Sequence, residues 1–557
     1  MKKVLYLILT GVFFLGISSC NKDMEPASDI GNPAGPVILA ATVADETTKA
    51  TVSESDGGFS FSAGDAIQVY DGTTTYAGTT ASGGSSAVFT MEDGFDISGA
   101  GLAAFPSALV SSFSSATAVT FNLPGSYSYA DVGSADADAA KVPVLMVATK
   151  EAGSTNLSFK QVASLVRFRV TNCQAGVLHF TFTSNVTGTA ELTSVVPGTT
   201  EITAANLSGT KSMTIAVTGV PAVAGGGFIY ITLPVPVGTD PMNVMVVNRG
   251  ETSVSSVTLS GTAAALERAG GRKRGVTLGT PITPEFSISA TKKVSFAPGN
   301  LQATYDATAE TWTWDFAANQ YDRIGNAPGN TKITTEVKES TEPYAKLSES
   351  GTVDLFDWST ADTYYGISTS NDGTYTNVTT ALFVDWSGLT IGGYAANYWR
   401  TMSWAEWDYL LFYRSASTIG STENARFLKV SSVVGMKGLI ILPDNFVWDE
   451  STMGTAPDCN NSGGAGNGSF SSSQWAAMEA AGAVFLPSTG YRTSATYVDT
   501  SDGNYSYGCY WTNDVSRHPN LGPGFLWIKY DSRYGSVGRE YRYSDKSGVA
   551  VRLAHDL

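Results

Sequence analysis

Histidine, cysteine and charge are all scarce in this sequence. Three His and four Cys stand in 557 residues, and charged residues make up 15%. Imidazoles confined to His179, His518 and His555 leave little from which to build a His-rich metal centre. The Gly-Lys-Ser/Thr phosphate loop, the Gly-x-Ser-x-Gly elbow and the His-Glu-x-x-His helix are also missing. A glycosidase pair of carboxylates needs no local spacing, and no particular pair stands out. The net charge of −16 repels phosphate backbones, so nucleic acid is not an expected partner. Tryptophan is absent from the first 311 residues, whereas all 11 lie between Trp312 and Trp527. That asymmetry marks two regions of different construction.

What is present begins at the N-terminus. Lys2 and Lys3 precede an apolar run, Val4 to Ile17, too short to span a bilayer comfortably but suited to a signal peptide. The run ends in Ile-Ser-Ser-Cys, which resembles a bacterial lipoprotein box. The resemblance implies cleavage after residue 19 and acylation of Cys20. Residues 20–36 are rich in Pro, Asp and Gly and read as a tether. Lys22 and Asp23 resemble the charged export signals of surface lipoproteins in Bacteroidetes. The expected location is therefore the outer membrane, lipid-anchored and facing outward.

At roughly 150 residues per domain the length suits three or four folding units. High Gly, Ser and Thr content reads as β-rich. Residues 58–70 place Ile67 and Val69 in step before Asp71-Gly72. In 164–170, Val166, Phe168 and Val170 alternate with Arg167 and Arg169, the period-2 pattern of a strand with one wet face. Residues 227–235 and 242–248 are further apolar runs bounded by turn residues, and Cys173 falls in such a strand pattern as a buried thiol. Arg272, Lys273 and Arg274, flanked by Gly, read as a solvated turn ending a domain. Thr-Lys-Ala-Thr-Val around Lys49, then 58–70, then 157–172, resemble in this order the fimbrillin-like lipoproteins of Bacteroidetes. That resemblance implies two transthyretin-like β-sandwiches, at 37–155 and 156–280. No Arg precedes Arg167, however, so the Arg-directed maturation of polymerising subunits is not expected.

The C-terminal half introduces helices. Ser403 and Glu406 form a capping box ahead of Trp404, Trp407, Leu410 and Leu411 on one face, with Arg414 at the helix end. Ser471 and Gln474 repeat the box, and Gly482 supplies a stop. Residues 435–446 read as a short buried strand. The motifs WRTMSWAEWDYL (399–410), LPDNF (442–446), FLPSTGYR (485–492) and VAVRL (549–553) resemble C-type-lectin-like domains of the formylglycine-generating (sulfatase-modifying) superfamily. The implied fold is an α+β C-type-lectin-like domain over 286–557. Enzymes of that superfamily use paired Cys with copper, or a His-based iron site. Cys459 lies in a Gly/Asn loop, and only His518 and His555 stand in this half, so no catalysis and no cofactor is expected.

Three candidate sites follow. Asn513 and Asp514 offer oxygens to a calcium ion, as in sugar-binding lectins, although the Glu-Pro-Asn or Gln-Pro-Asp partner loop is missing. The plainer expectation is that Trp511 is packed and that Asn513 and Asp514 shape a turn. Tyr530, Arg533, Tyr534, Arg539, Tyr541 and Tyr543 form a loop-rich aromatic and basic face that suits a glycan or protein ligand; an ordinary hairpin is the alternative. Cys459 and Cys509 are available for a disulfide in an oxidising compartment, provided their Cα atoms approach closely enough. The resulting expectation is a surface adhesin or ligand-binding lipoprotein. The alternatives are an anchor or tip element of a pilus, touching fimbrial subunits by strand addition, and an enzyme of the lectin-like superfamily.

Overall fold

The computed structural model describes residues 37–43, 60–135, 142–223, 225–335, 345–359, 364–367, 379–463, 466–493, 496–499, 506–515, 522–530, 536–542 and 547–557. The expected signal sequence, Cys20, the expected tether and Lys49 lie outside them. The chain is mostly β-sheet and multidomain.

The first module is a closed barrel in the order Ile38–Val43, Asn156–Gln161, Met146–Lys150, Gly101–Phe105, Ala66–Tyr70, Thr75–Thr80 and Ser86–Met91. Closure is direct, because Ile38–Val43 pairs in parallel with Asn156–Gln161 and antiparallel with Ser86–Met91. Alternation along Ser86–Met91 sends Ala87, Phe89 and Met91 inward. The inward side chains meet Phe61, Phe105 and Phe159, whose rings pack edge to face. A four-stranded sheet built on Ala118–Leu123 and Gly188–Leu192 covers the barrel's other side through Leu102, Ala104 and Val147.

The second module is a sandwich of two sheets. One contains Ser164–Thr171 and Phe228–Val235; the other contains Met245–Arg249, Gly176–Thr181 and Thr214–Val220. Phe168, Phe180, Ile231 and Val246 fill the space between them. The modules are interleaved in sequence. Asn156–Gln161 and Gly188–Leu192 serve the first, while Ser126–Ser128 and helix α1 (Tyr129–Val132) serve the second. The division expected between 155 and 156 is therefore crossed by chain in both directions.

Two strand readings change. Arg167 is buried rather than wet, because its Nε donates to Thr232 Oγ1 at 3.0 Å and its guanidinium lies 5.8 Å from the Tyr230 ring. Arg169 is exposed, over the Phe228 ring. Arg272–Arg274 is not a turn. It lies in Gly271–Thr277, a strand paired in parallel with Ser164–Thr171 at the edge of its sheet. Exposed basic side chains at a sheet edge oppose pairing with another chain.

Residues 286–557 form the third module. Its two ends meet where Lys293–Phe296 pairs with Leu553–Asp556. Its larger sheets include a four-stranded one (Ser469–Phe470, Phe427–Val433, Met436–Ile441, Val484–Pro487) and a three-stranded one (Ser506–Val515, Pro523–Tyr530, Ser536–Arg542). Helix α2 spans Trp404–Asp408 and runs on as a wider turn over Tyr409–Tyr413. Its capping box is formed: Ser403 Oγ accepts from Glu406 N at 3.3 Å, and Glu406 Oε2 accepts from Ser403 N at 2.8 Å. Trp404, Trp407, Leu410 and Leu411 are buried together. After the short α3 (Glu450–Met453) comes α4 (Ser472–Ala480), with the Ser471/Gln474 box in place and Gly482 at φ +92°. Arg414 partners the helix end as read, its Nε donating to Leu410 O at 2.7 Å, and it does so fully buried.

Candidate functional site

Among the described residues, an open groove of about 390 Å³ lies in the third module, between residues 417–420 and 446–456. Its walls are fixed by local hydrogen bonds. Ser417 N donates to Asp444 O at 2.9 Å, which ties the two segments together. Ile419 and Thr422 exchange backbone bonds of 3.0 and 2.9 Å around Gly420, whose φ of +55° a residue with a side chain rarely adopts. On the other wall Asp449 caps α3, accepting from Ser451 N at 3.0 Å and from the Ser451 and Thr452 hydroxyls at 2.6 and 3.0 Å. These bonds hold the exposed Asp449 carboxyl below its ordinary pKa.

Trp448 is half-buried in this wall. Its indole N–H donates to Gly454 O at 2.8 Å, and its ring packs against Phe446 and Phe470 at centroid distances of 6.3 and 6.2 Å. Val447 beside it is 75% exposed. Ser417, Thr418 and the Glu450 carboxylate complete a lining that offers apolar contact and hydrogen bonds together. Such a mixture suits a ligand with both an apolar face and hydroxyl or amide groups. The sequence reading ends its strand at 446 and does not single out Trp448; the available signal is a Val-Trp pair just after a Pro-Asp-Asn turn.

Asn513 and Asp514 lie in the strand Ser506–Val515, at a register irregularity between Trp511 and Val515. They do not shape a turn but stitch that strand to the start of α2. Asn513 Nδ2 donates to Thr401 O at 2.9 Å, and Asp514 accepts from Trp404 N at 3.0 and 3.1 Å. Both side chains thus have structural partners. Among the described residues no group of three or more His, Cys, Asp and Glu is arranged to hold a metal ion. Trp511 is packed, 1% exposed, with its indole N–H on Phe356 O at 2.6 Å.

The expected aromatic and basic face falls largely outside the described residues. Arg533, Tyr534 and Tyr543 lie there. The backbone of Tyr530 ends one strand, while Arg539 and Tyr541 sit opposite Trp527 and Phe525 in the ladder. Cys459 and Cys509 are free thiols in separate core clusters, so the disulfide left open by the sequence is not formed. Burial pushes both, and Cys173, up to about 12. His555 stacks on Tyr398 with ring centroids 3.9 Å apart, and its Nδ1 lies 2.9 Å from the Tyr398 carbonyl.

No family model matches the chain, and no curated protein does. Several solved structures are similar to it. A candidate cell adhesion protein from Bacteroides ovatus shares 14% identity, with 44% of this chain and 95% of that one covered at a TM-score of 0.28. Another from Bacteroides uniformis shares 16%, with 45% and 95% covered at 0.26. A tip fimbrial protein from Porphyromonas gingivalis, truncated at its C-terminus, shares 11%, with 42% and 80% covered at 0.18. Similarity at this level fixes neither the fold nor a ligand.

Proposed function

We propose that this chain is an outer-membrane surface lipoprotein that binds a ligand without catalysis. In this reading Cys20 carries the anchor, two fimbrillin-like β modules form the stalk, and a C-type-lectin-like head displays the groove beside Trp448. The observation that carries it is the groove: an aromatic wall with its ring orientation pinned and the Glu450 carboxylate beside it, facing the hydroxyls of Ser417 and Thr418. A glycan or a surface protein has the mixed apolar and hydrogen-bonding character this lining matches.

The test is a glycan-and-protein array with the full-length protein, with and without chelator, alongside Trp448→Ala. Binding that survives chelator and falls at least tenfold in Trp448→Ala supports the groove. Binding erased by chelator moves the site to Asn513 and Asp514, and turnover of a substrate with a bound metal overturns the reading. Mass spectrometry of Cys20 tests the anchor. Co-purification with a fimbrial polymer would assign the chain to a pilus instead.

A further inference from the structure

One face of the second module is covered where an isolated sandwich would meet water. Along Gly176–Thr181, Leu178 and Phe180 point into the sandwich core, yet Val177, His179 and Thr181 on the opposite face are buried too. Arg249, near the end of the neighbouring strand, is likewise buried. The cover is α4 of the third module. Met245 packs against the cluster of Trp475 and Met478, and Glu479 of α4 enters the face itself.

Glu479 sits in a closed set of partners. Its Oε2 lies 3.1 Å from His179 Nδ1, and its Oε1 lies 3.4 Å from Arg249 Nη1 and 2.7 Å from Gln320 Nε2. Gln320 Oε1 in turn accepts from Arg552 Nη2 at 2.7 Å and Phe485 N at 3.0 Å. His179 Nε2 lies 2.8 Å from the Ala318 carbonyl. Nε2 thus faces a carbonyl acceptor while Nδ1 stands in ion-pair range of the Glu479 carboxylate without an aligned hydrogen bond, an arrangement that favours the doubly protonated imidazolium. The connecting segment is held from both sides: Ile282 exchanges two backbone bonds with Val254, and Glu285 O accepts from Asp444 N at 2.9 Å.

We infer that the second module and the C-terminal module form one rigid unit closed by an ion latch, Glu479 between His179 and Arg249, which tightens as pH falls from alkaline to mildly acidic. A carboxylate this deeply buried is tolerated only with paired partners, and two of the three come from the other module. The charged groups facing His179 are Glu479 on α4, Arg249 on its own sheet and Asp322 from the third module, with Arg552 acting on Glu479 and Arg249. Desolvation opposes the cation on His179, but Glu479 and the Ala318 carbonyl outweigh it and raise its pKa above the ordinary 6.5. The imidazolium's contribution is complete below 6.5 and is lost as pH rises through the higher folded value. Burial opposes the Glu479 anion, yet His179, Arg249 and Gln320 hold it at about 2, so its share is complete above its ordinary 4.5 and is lost in acid approaching 2. The latch is tightest between about pH 4.5 and 6.5.

Hydrogen exchange by mass spectrometry on the full-length protein, corrected for intrinsic rates, tests this. Wild type is expected to show peptides 176–181 and 472–480 opening together, with protection rising up to about tenfold from pH 8.5 to 6.5 for each unit of pKa difference. His179→Gln should abolish that rise while leaving strand 427–433 protected. Glu479→Gln should lower protection of both peptides at every pH. Independent opening of the two peptides in wild type, or an unchanged pH response in His179→Gln, would overturn the inference. Should Glu479→Gln fail to fold, His179→Gln decides.

Discussion

Removing Arg414 offers the sharpest test of how the third module is held together. Its guanidinium has no solvent exposure and uses four donor bonds: Nε to Leu410 O at 2.7 Å, Nη1 to Asp444 at 2.6 Å, and Nη2 to Arg426 O at 3.0 Å and Leu442 O at 2.6 Å. The bond to Leu410 satisfies a carbonyl that the wider turn after α2 would otherwise orphan. Arg414→Ala removes a donor from three carbonyls, of which Arg426 O keeps Leu442 N, and takes the cation from the part-buried Asp444 carboxylate, which together cost about 3–5 kcal/mol. In a unit of this size about 2–4 °C accompanies each kcal/mol, so the transition should fall by about 6–20 °C. Tryptophan fluorescence isolates the event, because every Trp lies at or beyond 312. Arg414→Lys retains the charge but not the planar fork, and should recover less than half the loss. A loss below about 1 kcal/mol in Arg414→Ala, or full recovery with Lys, would refute the account.

Three further outcomes follow. Asp354, buried and bonded to Asn330 Nδ2 at 2.7 Å, has its pKa raised by desolvation to about 6. Its contribution is present below its ordinary 3.8 and is lost as pH rises to about 6; relative to Asp354→Asn, the wild-type module should lose about 3 kcal/mol over that window in denaturant titrations. Cys173, Cys459 and Cys509 should ignore a thiol reagent in the native protein and react only once it is unfolded; fast native labelling of any would contradict their burial. Trp475→Ala, on the buried face of α4, should cost about 3–5 kcal/mol, whereas Trp448→Ala should weaken ligand binding and cost much less in the same melt.

Local signals in the sequence translated well and long-range ones did not. Both capping boxes form as read, because Ser403 with Glu406 and Ser471 with Gln474 act within one turn. The barrel closure was hidden, since it joins Ile38–Val43 to a strand more than a hundred residues on, and no period within either strand encodes its partner. Arg167 looked wet by alternation because the pattern shows only that one face differs from the other, not whether a neighbour covers it. One overlooked signal was present. Val177-Leu178-His179-Phe180 does not alternate cleanly, and a strand apolar on both faces requires cover on both.

Aromatic enrichment by itself is a weak cue to a site, and the reason is physical. Trp358, Trp386, Trp399, Trp407, Trp475 and Trp511 are among the largest fully buried side chains, so most of the enrichment is core. Burying each ring contributes about as much as any large apolar side chain, about 1.5–3 kcal/mol, and many short strands with little helix need such large units to fill the space between sheets. Counting aromatics therefore measures how the module is filled. What distinguishes Trp448 is its setting: half-buried, its N–H fixed to Gly454, and next to a Val that is 75% exposed. A ring whose orientation is already set loses little freedom when a ligand covers it, so a single pinned indole at a groove outweighs a dozen aromatics in the sequence as evidence for binding.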